Sequence, residues 1–215
     1  MFLDVTFLKD EEYKTLLTLT AITLDNRTLP VAHMIYRYGK QQVVAQLFLS
    51  LIKRHLPCDW DNVRIMCDQS MALKNSIRGV FGKNALECTQ HLKKNLVRYT
   101  SDTTMSSFQK YIHTLDENEW IKAKEDLLNS FHQPINKGCI NAYNLISNNP
   151  DLFCRIKRDD NFEQFTTNAV GPFHGWIRSL KKGHMVNLVS QLSMMQLCAL
   201  QKLSDENVNY HEHFC

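Results

Sequence analysis

The sequence predicts an α/β domain: a mixed sheet made by roughly its first hundred residues, followed by a helical second half. Three observations carry that prediction. Strand-like stretches rich in alternating or branched residues occupy residues 2–8, 15–24 and 30–38. From Val43 the apolar period becomes helical, with short apolar runs at 63–67 and 85–88 set between the helical stretches. After residue 100 every apolar stripe repeats at helical spacing.

Taken in order, Leu3, Val5 and Phe7 alternate with Asp4 and Thr6, the pattern of a half-buried strand. Thr15 to Leu24 is dense in threonine and branched residues, a second strand. Asp25-Asn26-Arg27 supplies turn chemistry before a third strand from Pro30 to Tyr38, so the first three strands form an antiparallel meander. Val43, Val44, Leu47, Phe48, Leu51 and Ile52 mark one face of a helix that ends near Pro57. Val63 to Cys67 is a buried strand closed by Asp68. Ser70 is placed to cap the next helix, whose face is Leu73, Ile77, Val80 and Phe81. Ala85 to Cys88 is a further short strand, followed by a helix from His91 to Tyr99.

Beyond residue 100, Trp120, Ile121, Leu127, Leu128 and Phe131 form one helical stripe. Met185, Leu188, Val189, Leu192, Met195, Ala199 and Leu203 form another. Trp120 and Trp176 fall on apolar stripes and are read as core. Three strands, helix, strand, helix, strand, then helices is the order of an RNase H-like core, a mixed sheet with flanking helices. The organisation expected is a core over 1–100, a helical insertion over 101–160, and C-terminal helices over 161–215 that complete the core.

Bulk properties exclude several classes. The chain has 215 residues, enough for one domain with an insertion, and its 44% hydrophobic content and few glycines and prolines suit a folded protein. Net charge is only +3, so no global field drives it onto nucleic acid; the basic residues cluster locally instead. These clusters are Lys93, Lys94 and Arg98; Arg155, Lys157 and Arg158; and Arg178, Lys181 and Lys182. Each taken alone is an ordinary solvated helix face. The seven cysteines are scattered, which fits thiols in a reducing compartment. No apolar run approaches the roughly 20 residues of a membrane helix, and no signal peptide opens the chain, so a soluble intracellular protein without membrane or small-molecule partners is expected.

The chemistry-bearing candidates begin with Asp4, a charge set inside a strand that otherwise wants burial, where it costs several kcal/mol unless paired or bound to a cation. Asp68 ends a later strand. On neighbouring strands the two carboxylates would meet and could hold Mg²⁺ or Mn²⁺; the alternative reads them as an edge-strand acid and a helix cap. Cys88 and His91 form a Cys-x-x-His pair, too few ligands for a structural zinc site by themselves.

Together these stretches resemble the catalytic domain of Mutator-like element (MULE) transposases. Asp4-Val5-Thr6-Phe7 is similar to that family's Asp-x-Thr-Phe strand. Asp68, Ala72 and Ser76-Ile77-Arg78-Gly79-Val80-Phe81 are similar to its second-acid segment, and Cys88, His91, Leu92, Lys93 and Lys94 to its Cys-x-x-His signature. Leu29-Pro30-Val31-Ala32 also resembles the family's third strand. The likeness covers residues 2 to about 100 and resumes near 165 to 200.

It implies metal-dependent DNA strand cleavage and transfer, with Asp4 and Asp68 as metal ligands, Mg²⁺ or Mn²⁺ as cofactor, DNA as partner, and an open question of a homodimer. Nuclear or other intracellular localisation goes with that reading. Cys88 and His91 are family-signature residues near the site. Lys93, Lys94 and Arg98 are the DNA-contact candidates.

The pattern departs at the third acid. Thr167 to His174 resembles the family's Thr-Asn-Asn-Ala-Glu-Ser-Phe-Asn, but Gly171 stands at the glutamate and Pro172 follows it. Glycine ligates nothing through a side chain, so cleavage is expected to be lost or severely reduced, with binding of a second ion most affected. Glu163, some two helical turns upstream, is a poor substitute, and His174 offers nitrogen where Mg²⁺ prefers oxygen. The sequence opens almost at the first catalytic strand, which suggests a truncated or domesticated copy. Its end, His211-Glu212-His213-Phe214-Cys215, stops short of the family's zinc module. The competing function is a non-catalytic DNA- or protein-binding module. An RNase H-like exonuclease ranks lower, because Asp10, Glu11 and Glu12 lie too far along to make a close pair with Asp4.

Overall fold

The computed structural model describes residues 1–8, 15–22, 28–37, 40–96, 104–131, 137–152, 154, 157, 188–194, 196–198 and 201. They form an α/β arrangement whose elements are β1 (Phe2–Phe7), β2 (Thr15–Ile22), β3 (Thr28–Tyr36), α1 (Gln41–His55), β4 (Met66–Cys67), α2 (Met71–Phe81), β5 (Leu86–Glu87), α3 (Thr89–Leu96), α4 (Thr104–His113), α5 (Glu117–Asn129), α6 (Lys137–Asn148) and the 3-10 turn Pro150–Leu152, with further helical residues at 188–194 and 196–198. The sheet order is β3-β2-β1-β4-β5. It is mixed: β1–β2 and β2–β3 are antiparallel and β4–β5 is parallel. Two compact units divide the chain. One comprises Met1–Ile65, Met71–Lys83 and Asn168–Cys215, the other Met66–Ser70 and Asn84–Thr167.

In the first unit the predicted meander is present. β2 is the middle strand, and Thr15 to Thr20 are buried on both of its faces. β3 begins two residues earlier than its sequence pattern suggests, because its register shifts: Leu19 pairs with Ala32 and Thr20 with Pro30. Val31 is thus the extra residue of a bulge, and a bulge on an edge strand is where a proline without an N–H is tolerated. The Val31 carbonyl accepts a hydrogen bond from Gln196 Nε2 at 3.3 Å. The expected turn at Asp25-Asn26-Arg27 lies outside the described residues.

Helix α1 corrects the predicted face. Ala45, Phe48, Leu49 and Ile52 are buried, whereas Val43, Leu47 and Leu51 are 60%, 55% and 41% exposed. The apolar band of α1 is wider than one helical face, and the inward phase is set by α2, which packs on it. The buried Ser76 hydroxyl of α2 lies within hydrogen-bond distance of two carbonyls, those of Gln42 at 2.9 Å and Ala72 at 2.7 Å, and shares its one proton between them. On α2 itself Leu73 and Ile77 are buried as expected, while Val80 and Phe81 are half-buried.

The predicted strand over 63–67 shortens to Met66–Cys67 because the preceding carbonyls are engaged elsewhere. Lys83 Nζ donates to the carbonyls of Trp60 and Val63, and the Met1 nitrogen donates to that of Arg64 at 2.7 Å. Desolvation, with Arg64 adding repulsion, pulls the Lys83 ammonium below the ordinary lysine range. Gly82, at φ 71°, turns the chain out of α2 in the left-handed region that glycine enters without strain.

In the second unit, α3 to α6 enclose an apolar cluster of Leu92, Leu96, Phe108, Tyr111, Ile112, Trp120, Ala123, Leu127, Ala142, Ile146 and Cys154. Trp120 is core as expected, stacked on Tyr111 at 5.4 Å between ring centroids, while Ile121 of the same predicted stripe is 44% exposed. Asp116 caps α5 by accepting the Glu119 N–H at 2.8 Å, with Glu117 and Glu119 in the first turn complementing the helix dipole. Lys157 closes over this cap, its Nζ 2.6 Å from Glu117 and 4.4 Å from the Trp120 ring centre. Of the predicted terminal stripe, Leu188 and Leu192 are buried in helical turns and Val189 is 46% exposed. Met185, Met195, Ala199, Leu203 and Trp176 lie outside the described residues. Cys58, Cys67, Cys88, Cys154 and Cys198 are thiols rather than disulfide halves. No described helix is long and apolar enough to cross a membrane.

Candidate functional site

Asp4 occupies the third position of β1, opposite Thr18 of β2. It is half-buried, and its Oδ1 accepts the Val5 N–H at 2.8 Å. Hydrophobic neighbours make β1 a strand: Phe2 and Leu3 are fully buried, and only at Phe7, 74% exposed, does burial fail. The charge therefore sits within the covered part of the strand, as its pattern predicted.

Asp68 follows β4 directly. Its Oδ1 accepts the Ser70 N–H at 2.9 Å, closing a tight turn into α2 at Met71. A hydrogen bond from Asn95 Nδ2 to Gln69 Oε1 ties that turn to α3. The parallel β4–β5 pair sets Cys67 opposite Glu87, and the Cys88 N–H donates to the Cys67 carbonyl at 3.1 Å. Asp68 and Cys88 are each one residue past this register pair, at the carboxyl ends of two parallel strands, the edge where open α/β sheets receive ligands.

Cys88 is fully buried, and its carbonyl accepts the Leu92 N–H at 3.0 Å, so α3 starts at Thr89, two residues ahead of the predicted His91. His91 is consequently in the first turn of α3, half-buried. Further along α3, Lys93 is half-buried and Lys94 exposed, while Arg98 lies outside the described residues. So do Gly171 and the whole third-acid segment, with Glu163 and His174.

Two features escaped the sequence reading. Glu87, on β5, is 1% exposed, a carboxylate inside the strand next to Cys67. A charge within the apolar run Ala85-Leu86-Glu87-Cys88 is the same signal that singled out Asp4. The other is a polar row across β1, β2 and β3: Asp4 pairs with Thr18 and Thr18 with His33, whose Nδ1 lies 3.3 Å from Thr18 Oγ1. Only strand register could reveal it.

Among the described residues, no three His, Cys, Asp or Glu side chains gather into a metal-holding group. The donor type of Asp4 and Asp68 nonetheless fits a hard cation. Each is a half-buried carboxylate oriented by one backbone N–H, and carboxylate oxygens are the preferred ligands of Mg²⁺ and Mn²⁺. Comparison with protein-family models and with curated proteins found no match for this chain.

Proposed function

We propose that the chain is a transposase-derived RNase H-like domain of the MULE type, descended from a metal-dependent DNA strand-transfer enzyme and impaired because Gly171 replaces the third acid. The strand order carries the reading. A mixed sheet ordered β3-β2-β1-β4-β5, with an acid inside β1 and another directly after β4, is the arrangement expected of that fold. The motifs Asp4-Val5-Thr6-Phe7, Asp68…Phe81 and Cys88-x-x-His91 fall on β1, on the β4–α2 segment and at the start of α3, in the order the family pattern requires.

In this reading Asp4 and Asp68 are the residues that would hold Mg²⁺ or Mn²⁺, which would supply Lewis-acid stabilisation of the phosphoryl oxygens. The chain's own contribution is to orient the carboxylates: Asp4 through the Val5 N–H and Asp68 through the Ser70 N–H. With Gly171 offering no oxygen, cleavage of labelled duplex DNA in Mn²⁺ is expected to be slow or absent. Brisk cleavage that Asp68→Ala abolishes would contradict the impairment.

Gly171 equally favours a second reading, a core retained for DNA contact after catalysis decayed. It predicts salt-sensitive DNA binding without cleavage, because phosphate contacts weaken steeply as salt rises. Lys93→Ala with Lys94→Ala and Arg98→Ala should lower affinity and flatten the salt slope. Unchanged binding would remove α3 as the contact surface.

A further inference from the structure

We propose that the outward face of α1 docks an acidic amphipathic helix of a partner protein. Its inward face is already used: Ala45, Phe48, Leu49 and Ile52 are buried. Helix α2 lies along one flank, with the Ser76 hydroxyl at the Gln42 carbonyl and Lys53 Nζ donating to the Val80 carbonyl at 2.8 Å. What remains outside is not the polar surface that an amphipathic helix turns to water. Val43, Leu47 and Leu51 are 60%, 55% and 41% exposed. Spaced four residues apart, they form one ridge of about 12 Å, the kind of row that one helix sets into the groove of another.

Charge decides the occupant. Neither α1 nor α2 contains an aspartate or glutamate. Lys40 stands exposed just before the ridge, and Lys53, Arg54 and His55 stand exposed at its far end. The bond from Lys53 to Val80 sets the carboxyl ends of the two helices side by side, so Arg78, exposed on the last turn of α2, adds to that end. The Val80 carbonyl accounts for Lys53, but among the described residues Lys40, Arg54 and Arg78 have no carboxylate partner. Lys40, at the amino end of α1, even opposes the helix dipole, so helix capping does not explain it.

A second copy of this chain does not fit that face. Two α1 helices set antiparallel would bring Leu47 to Leu47 but Lys40 to Arg54. Set parallel, they would bring each cation to its own counterpart, with no acid on either helix to relieve the repulsion. Nucleic acid phosphates would answer the cations and leave the ridge in water. An anionic lipid surface would need side chains to insert, and the ridge offers a valine and two leucines without an aromatic ring. A partner helix with leucines along one face and glutamates beside them satisfies ridge and cations together, as flanking charges do in paired helices.

The test uses the full chain and a synthetic amphipathic peptide of about 20 residues, leucine on one face and glutamate on the flanks, followed by fluorescence anisotropy. The same peptide with lysine for glutamate is the control. The glutamate peptide is expected to bind, and the lysine peptide to bind about 10-fold more weakly or not at all. Leu47→Glu, with helical circular dichroism unchanged, should weaken binding of the glutamate peptide about 10-fold or more. Lys40→Glu combined with Arg54→Glu and Arg78→Glu should reverse the preference, so that the lysine peptide binds better. No binding of the glutamate peptide, equal affinity for both peptides, or binding that Leu47→Glu leaves unchanged would overturn the docking face. Two rival outcomes would also overturn it. One is attachment to phosphatidylserine vesicles, lost in Leu47→Glu, with no peptide binding; the other is a dimer by sedimentation that Leu47→Glu dissociates.

Discussion

The unit built on β1, β2 and β3 and the helical cluster of α3 to α6 bury their interiors in different ways. The strands carry polar side chains into the covered region: Thr18 and Thr20 are fully buried, and Asp4 and His33 stand in the same row as Thr18. The helical cluster is apolar almost throughout, and its buried tyrosine donates its hydroxyl to a backbone carbonyl, Tyr111 Oη to that of Ile146 at 2.7 Å. A buried polar group without a partner is costly; Thr18 is bonded to His33, whereas the Thr20 hydroxyl has no hydrogen-bond partner among the described residues. The strands thus set a carboxylate among covered residues, whereas the cluster is an apolar packing core around α3 to α6.

The comparison is broken most severely at Trp120. Trp120→Ala should cost about 3–5 kcal/mol, since it empties the centre of the cluster and removes the ring beneath Lys157 and Lys124. Urea denaturation monitored by helical circular dichroism measures it, and a cost below about 1 kcal/mol would mean that the cluster is not a packed core.

Tyr111→Phe is the next step down, about 1–3 kcal/mol, because it leaves a buried carbonyl without its donor. Its sign with pH is specific. Burial, with Cys154 adding to it, raises the phenol well above its ordinary value, so folding favours the neutral form. That stabilisation is fully present below the unfolded value of about 10 and is lost as pH rises past it. Denaturation midpoints should therefore fall above pH 10 in the native chain, and Tyr111→Phe should flatten that decline.

The smallest effect is expected at Leu47, exposed on α1 although its spacing marks it as core. Leu47→Lys should change stability by less than about 0.5 kcal/mol. The corresponding change at the buried Leu49 should be severe.

The strands were legible by different signals, β1 by its alternation and β2 by its threonine and branched residues, and β1, β2 and β3 fall within two residues of their predicted starts. The phase of α1 was not, because Val43, Val44, Leu47, Phe48, Leu49, Leu51 and Ile52 crowd more apolar residues onto one helix than a single face holds. Strand β4 was over-read because the Val63 carbonyl, apolar by sequence, is taken by the Lys83 ammonium, a contact no local pattern encodes. Asp4 and Asp68 were visible as charges out of place. His33 and Thr18 were not, since a histidine and a threonine in a strand are unremarkable until the register sets them beside Asp4.

The most direct test of the central claim is Mn²⁺-dependent cleavage of labelled duplex DNA by the native chain and by Gly171→Glu, side by side. A scaffold disarmed at one position predicts cleavage in the glutamate variant, abolished there by Asp4→Asn or Asp68→Asn, and little or none in the native chain. Equal cleavage by both chains, or none by the variant although Asp4 and Asp68 bind Mn²⁺, would contradict it.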